Sequence, residues 1–92
     1  MSREFFVYIL KNLSGNLYIG VTNNLERRLW EHKHKSADSY TSRYNIDRLI
    51  YFEIYNDSIT AIKREKQLKN WNRRKKVELI LKINPKFNEI FI

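Results

Sequence analysis

Five side chains in this sequence stand out for the chemistry they can do. Tyr8 and Tyr18 lie in two short apolar runs, Arg28 and His32 follow on one amphipathic segment, and Glu65 stands on a later one. Two tyrosines, an arginine, a histidine and a lone carboxylate are the material of a catalytic set, able to move protons and to hold an anion. At roughly 100° per residue, Leu25, Leu29 and His32 fall within about 60° of one another on a helix, with Arg28 at the edge of that sector. This selects Arg28 over Arg27 as the arginine facing the sheet, and His32 over His34 as the inward histidine. As an i,i+4 pair, Arg28 and His32 meet on the helix surface.

Glu65 is the strongest local contradiction. On its helix Ala61, Ile62 and Leu68 define the apolar face, and the wheel puts Glu65 near the middle of it, with Lys63, Lys66 and Gln67 outward and Arg64 at the margin. An unpaired buried charge is costly, so a cation, a metal or a hydrogen-bond cluster belongs opposite it. Two readings stay open: a structural ion pair with an arginine or lysine, or a metal ligand at the floor of a cleft.

The elements that must position these residues follow from pattern. Residues 5–10 are apolar without a break, as in a strand covered on both faces. Asn12-Leu13-Ser14-Gly15-Asn16 supplies turn chemistry, with Gly15 free to take a positive φ, and a second strand starts at Leu17, so a hairpin is predicted. Tyr8 then shares a face with Phe6 and Leu10, and Tyr18 with Gly20, whose missing side chain leaves room for a backbone or a ligand. Thr22, Asn23 or Asn24 caps the helix carrying Arg28 and His32. Residues 35–47 read as a loop with a helical turn, and Leu49 to Tyr55 as a third strand. Asn56-Asp57-Ser58 caps the Glu65 helix. A last helix runs from about Asn72 to Ile83 with Val77, Ile80 and Leu81 inward, and Asn84-Pro85 stops it. The apolar tail, Phe87, Ile90, Phe91 and Ile92, either packs on the body or stays exposed.

At 92 residues one modest core is expected, a single domain over 1–92 with its core at about 5–81 and the tail at 86–92. The absence of cysteine excludes disulfides and thiolate metal sites. No signal-peptide layout and no bilayer-length apolar run is present, so a cytoplasmic protein without membrane partners is expected. Eighteen Lys and Arg against ten Asp and Glu give a formal +8. The excess gathers at Lys63, Arg64, Lys66, Lys69, Arg73, Arg74, Lys75 and Lys76, which favours a polyanion, nucleic acid above all, over a merely solvated surface. Most of the aromatics are core, Phe5, Tyr51 and Phe52 among them. Trp71 either stacks on a base or closes a helix junction.

The motifs resemble those of the GIY-YIG nucleases. Tyr18-Ile19-Gly20 reproduces the second half of that signature, and Phe6-Val7-Tyr8 stands where the first half belongs, keeping its tyrosine. The likeness continues through Asn24-Leu25, Arg28, His32 and the stretch Arg64-Glu65-Lys66-Gln67-Leu68-Lys69 with Trp71 after it. It is closest in kind to the small stand-alone bacterial proteins of the family and covers residues 5 to about 81. The implied fold is α+β, a three-stranded antiparallel sheet flanked by helices, in keeping with the order β-β-α-β-α-α. The implied activity is metal-dependent DNA endonuclease cleavage of one strand, with DNA repair as a setting and Mg²⁺, or Mn²⁺, as cofactor.

Position by position, the resemblance makes Glu65 the metal-binding carboxylate and Arg28 the arginine on the scissile phosphate. Tyr8 and Tyr18 become the signature tyrosines, with Tyr8 preferred as base, and His32 matches a histidine of some branches. Gly20 is structural at the site. Lys63, Lys66, Lys69, Arg73, Arg74, Lys75 and Lys76 are the candidates for backbone contacts to DNA, selective for structure or strand state, with a targeting protein as a further partner. Three positions depart from the pattern: Phe6 replaces the first glycine, Val21 a lysine of some members, and Val77 an asparagine. A binding module on the same fold that cuts weakly or not at all is the alternative, and an interaction protein docking through its tail is a third.

Overall fold

Turn chemistry at residues 12–16 sets the hairpin, and the hairpin sets the rest. In the computed structural model, which describes residues 3–35 and 39–92, strand β1 (Phe5–Lys11) pairs antiparallel with β2 (Leu17–Thr22), Tyr8 opposite Gly20 and Leu10 opposite Tyr18. Gly15 takes φ +87°, and Asn12 Oδ1 accepts from the Asn16 amide at 2.9 Å. Strand β3 (Arg48–Tyr55) lies antiparallel on the other side of β1, giving the order β2-β1-β3. Central β1 is therefore hydrogen-bonded along both edges, and Val7 to Leu10 are fully buried. A bulge between the pairs Ile9–Tyr51 and Leu10–Leu49 leaves Ile50 without a partner on β1. Ile50 and Tyr51 consequently share one core, while Leu49 packs in the other.

One face of the sheet carries α1 (Leu25–Lys33), capped by Asn24, whose Oδ1 accepts from the Arg27 amide at 3.0 Å. Its Leu25 and Leu29 pack on Tyr8, Leu10, Ile46 and Leu49. The opposite face carries α3 (Ser58–Asn70, capped by Asp57) and α4 (Arg73–Ile83, capped by Asn72). There Ala61, Leu68 and Ile80 pack on Val7, Ile9 and Ile19.

Four expectations are corrected. Between α1 and β3, where a loop with a turn is expected, stands a six-residue helix α2 (Ser39–Tyr44), held by buried Thr41 and followed by buried Ile46; positions 36–38 of that segment lie outside the described residues. Ile62 is 41% exposed, because Ala61 and Leu68, seven apart, are the pair that α3 turns inward. On α4 Leu81 is 42% exposed and Leu79 packs against the core in its place. The tail does both things expected of it as alternatives: Ile90 packs on the α1 side with its amide donating to Leu49 O at 2.7 Å, while Phe91 and Ile92 stay exposed. Among the described residues no helix is long and apolar enough to cross a membrane.

Candidate active site

Tyr8 leaves the central strand and lays its ring across the edge strand at Gly20. A Cβ built on Gly20 would overlap the Tyr8 hydroxyl and Cζ and come within 3.0 Å of Cε1. The glycine is needed for this close approach, and the space expected there for a backbone or ligand is filled by Tyr8 itself. The ring carries the hydroxyl out over β2, where α1 meets it. Arg28 Nε donates to Tyr8 Oη at 3.4 Å, and His32 Nε2 lies 3.0 Å from the same oxygen. His32 is buried, and its Nδ1 stands 3.1 Å from Oγ1 of buried Thr41. The Tyr18 ring completes the group, with its centroid 6.3 Å from that of Tyr8 and 5.5 Å from that of His32. Arg27 and His34 are exposed, and His34 stacks on Trp30.

Electrostatics follow from this packing. Burial pushes the Tyr8 phenol up to about 12 from an ordinary 10, against the hydrogen bond from Arg28, which pulls it down. At neutral pH Tyr8 is therefore a phenol. Its hydrogen bond in turn holds the Arg28 guanidinium still more firmly protonated. Arg28 also pairs through Nη1 with Glu31 Oε1 at 3.1 Å, both side chains about one-third exposed. The guanidinium thus stands between a buried phenol and the solvent.

Glu65 occupies a different place. Its helix, α3, packs beneath β1 and β2 on the face opposite α1, and its side chain is 13% exposed. Oε2 pairs with Lys69 Nζ at 3.1 Å, and that lysine is half in water. Among the described residues the contacts that join Tyr8, Arg28 and His32 do not extend to Glu65, and no three His, Cys, Asp or Glu side chains gather as a metal cluster. One carboxylate held by a half-solvated ammonium still suits a cation that keeps most of its own waters, as Mg²⁺ does.

Of the basic run, Lys63, Lys66, Lys69, Arg73, Arg74 and Lys75 are exposed and Lys76 is half-buried. Several have partners: Arg73 Nη1 donates to Gly15 O at 2.8 Å, which ties α4 to the hairpin turn, and Arg74 pairs with Glu78. Trp71 caps α3 and packs at the helix junction, with the Arg64 guanidinium 5.2 Å and the Lys75 ammonium 6.0 Å from its ring.

Three contributions escaped the sequence reading. Thr41 and Glu31 lacked any pattern of their own. Glu53 had one: it alternates with Tyr51 and Tyr55 on one face of β3. It accepts from Tyr51 Oη at 2.5 Å, Tyr55 Oη at 2.6 Å, and Arg64 Nε and Nη2 at 2.9 and 3.0 Å, clamping α3 to β3. Burial pushes the Glu53 carboxyl up, yet the hydrogen bonds from Arg64, Tyr51 and Tyr55 outweigh it and hold it below the usual carboxylate range.

Residues 4–78 match the GIY-YIG catalytic domain. The chain belongs to the GIY-YIG family. Membership places this GIY-YIG chain among the nucleases at the level of the superfamily, whose members are generally metal dependent and act on DNA. Similar proteins include UPF0213 protein SSP2268 of Staphylococcus saprophyticus, 33% identical over 77 residues and covering 84% of this chain and 94% of its own. UPF0213 protein CPE1444 of Clostridium perfringens is 39% identical over 75 residues, covering 82% of this chain and 81% of its own. The solution NMR structure of UPF0213 protein BH0048 from Bacillus halodurans superposes with a TM-score of 0.61 at 27% identity, covering 91% of this chain and 89% of that one. The shared fold is the three-stranded antiparallel sheet with helices, expected as β-β-α-β-α-α and here carrying short α2 as well.

Proposed function

We infer that this chain is a metal-dependent DNA endonuclease that hydrolyses one phosphodiester strand. The observation that carries the reading is the hydrogen-bonded group Arg28–Tyr8–His32, built over Gly20 at the family's motif positions. Arg28 presents guanidinium N–H donors toward solvent, where they suit the charge growing on a phosphate's oxygens. Tyr8, a phenol at neutral pH, works as base by relay: it takes a proton from water at Oη while its own proton passes to His32 Nε2. This spares the site a standing phenolate, which burial disfavours. Tyr18 orients the water or phosphate.

Glu65 would hold the Mg²⁺ or Mn²⁺, releasing Lys69. Bound there, the cation would polarise the phosphate and stabilise the leaving oxygen. The approach to a common phosphate is the open edge of β2, since Tyr8 crosses that strand on one face and α3 packs beneath it on the other. Lys63, Lys66, the released Lys69, Arg73, Arg74, Lys75 and Lys76 attract the backbone on either side, so binding is weak, salt-sensitive and led by DNA structure and not by sequence. A targeting protein would supply what this surface cannot.

A second reading, a binding module without cleavage, draws on the ion pair of Glu65 with Lys69 and its place under the opposite face. Incubation with single-stranded, flapped and duplex DNA in Mg²⁺ separates the two. Cutting that disappears with chelator and in Glu65→Ala, while binding persists, supports the nuclease. Salt-sensitive binding with no cutting on any substrate supports the module.

A further inference from the structure

A guanidinium has donors and no acceptor, so at their contact Arg28 donates and the Tyr8 oxygen accepts. The Tyr8 O–H must then donate, and among the described residues its acceptor is His32 Nε2, 3.0 Å away. A neutral imidazole that accepts at Nε2 carries its proton on Nδ1. Nδ1 faces Oγ1 of Thr41 at 3.1 Å, and Thr41 is 2% exposed on α2, an element that sequence patterning did not resolve. Threonine is stiff at χ1, so a buried hydroxyl on it has a fixed direction.

We propose that Thr41 is a positioning residue: its hydroxyl oxygen accepts the Nδ1–H of His32, fixing the tautomer that leaves the Nε2 lone pair aimed at the Tyr8 hydroxyl. With the other tautomer, Nε2–H and Arg28 Nε–H would both donate to the phenol oxygen, and among the described residues the Tyr8 proton would lose its protein acceptor. The short helix α2 thereby belongs to the chemistry of a site whose reacting groups stand on β1 and α1. The catalytic consequence rests on the nuclease reading, whereas the tautomer does not.

The test reads the two separately. Multiple-bond ¹H–¹⁵N correlation on the full chain reports which ring nitrogen of neutral His32 is protonated. Wild type and Thr41→Ser, which keeps the hydroxyl, are expected to show the Nδ1–H pattern. Thr41→Val, nearly the same shape without the hydroxyl, is expected to lose it. In cleavage assays Thr41→Val should lower kcat by about 10- to 100-fold, with DNA affinity unchanged and Thr41→Ser recovering most of the rate. An Nε2–H pattern in wild type overturns the proposal, and so does an unaltered Nδ1–H pattern in Thr41→Val. Should Thr41→Val fail to fold, Thr41→Ala is read in its place, with the same loss of the Nδ1–H pattern expected. If the tautomer shifts as expected and no form cuts DNA, the assignment of Thr41 stands and the nuclease reading falls.

Discussion

Replacing Gly20 with alanine asks whether the strand glycine is there for Tyr8. The added methyl would overlap the hydroxyl and Cζ of a ring that is 1% exposed, so the ring cannot swing into solvent. Overpacking of this kind costs about 1–3 kcal/mol. Moving the ring aside strains its hydrogen bonds to His32 and to charged Arg28, worth about 1–3 kcal/mol more. A loss near 3 kcal/mol is about a fifth to three-fifths of the stability of a small domain, and at about 4–8 °C per kcal/mol lowers Tm by roughly 12–24 °C. The assay is urea unfolding in a double-mutant cycle with Tyr8→Ala, which removes the three atoms nearest the methyl. Because Tyr8→Ala itself costs about 3–5 kcal/mol, the cycle is run in sucrose to keep all four proteins folded. On the Tyr8→Ala background Gly20→Ala should be neutral or slightly stabilising, since alanine fits extended backbone better than glycine. An equal loss on both backgrounds would refute the reasoning.

Other expectations can be checked on the same protein. Glu53→Gln, which leaves Arg64 without its counter-charge, should cost about 2–4 kcal/mol in urea unfolding. Because the folded-state carboxyl titrates below its ordinary 4.5, its contribution is present above that pH and lost as the pH falls toward the depressed value, so the variant should show a flatter acid limb. ¹³C NMR of the tyrosine Cζ should show Tyr8 keeping its proton until about pH 12, and an onset at an ordinary 10 would contradict the burial argument. Glu31→Gln releases Arg28 Nη1 from a one-third exposed ion pair worth about 0.2–1 kcal/mol, so DNA should bind about 1.5- to 5-fold more tightly in a fluorescence titration; weaker binding would count against Arg28 as a phosphate contact.

Where local chemistry decided structure, the chain was legible. Turn residues at 12–16, caps within 22–24 and 56–58 that fall to Asn24 and Asp57, a last helix starting at about Asn72 and the stop at Asn84-Pro85 lie where side-chain oxygens and ring constraints put them. The inward face of α1 was readable because Leu25, Leu29 and His32 leave one choice, and it distinguished Arg28 from Arg27. Helix α2 was not readable, since six residues cannot nucleate alone and it is tertiary burial of Thr41 that holds it. The turns of α3 and α4 that exposed Ile62 and Leu81 were set by the sheet beneath them, which periodicity cannot see. Nor can periodicity tell on which side of a sheet a helix packs, and α3, which carries Glu65, lies on the face opposite α1. The polar group around Glu53 was visible only as an alternation whose partner, Arg64, came from another element.

Whether Glu65 and Tyr8 serve one centre across the edge of β2 is tested by the single-turnover rate of Mg²⁺-dependent cleavage in Glu65→Ala, Tyr8→Phe and the double variant. Side chains acting on one phosphate lose their effect together, so the double variant should be about as slow as the slower single one. A double variant whose loss is the product of the two single losses would mean that the carboxylate and the phenol work apart.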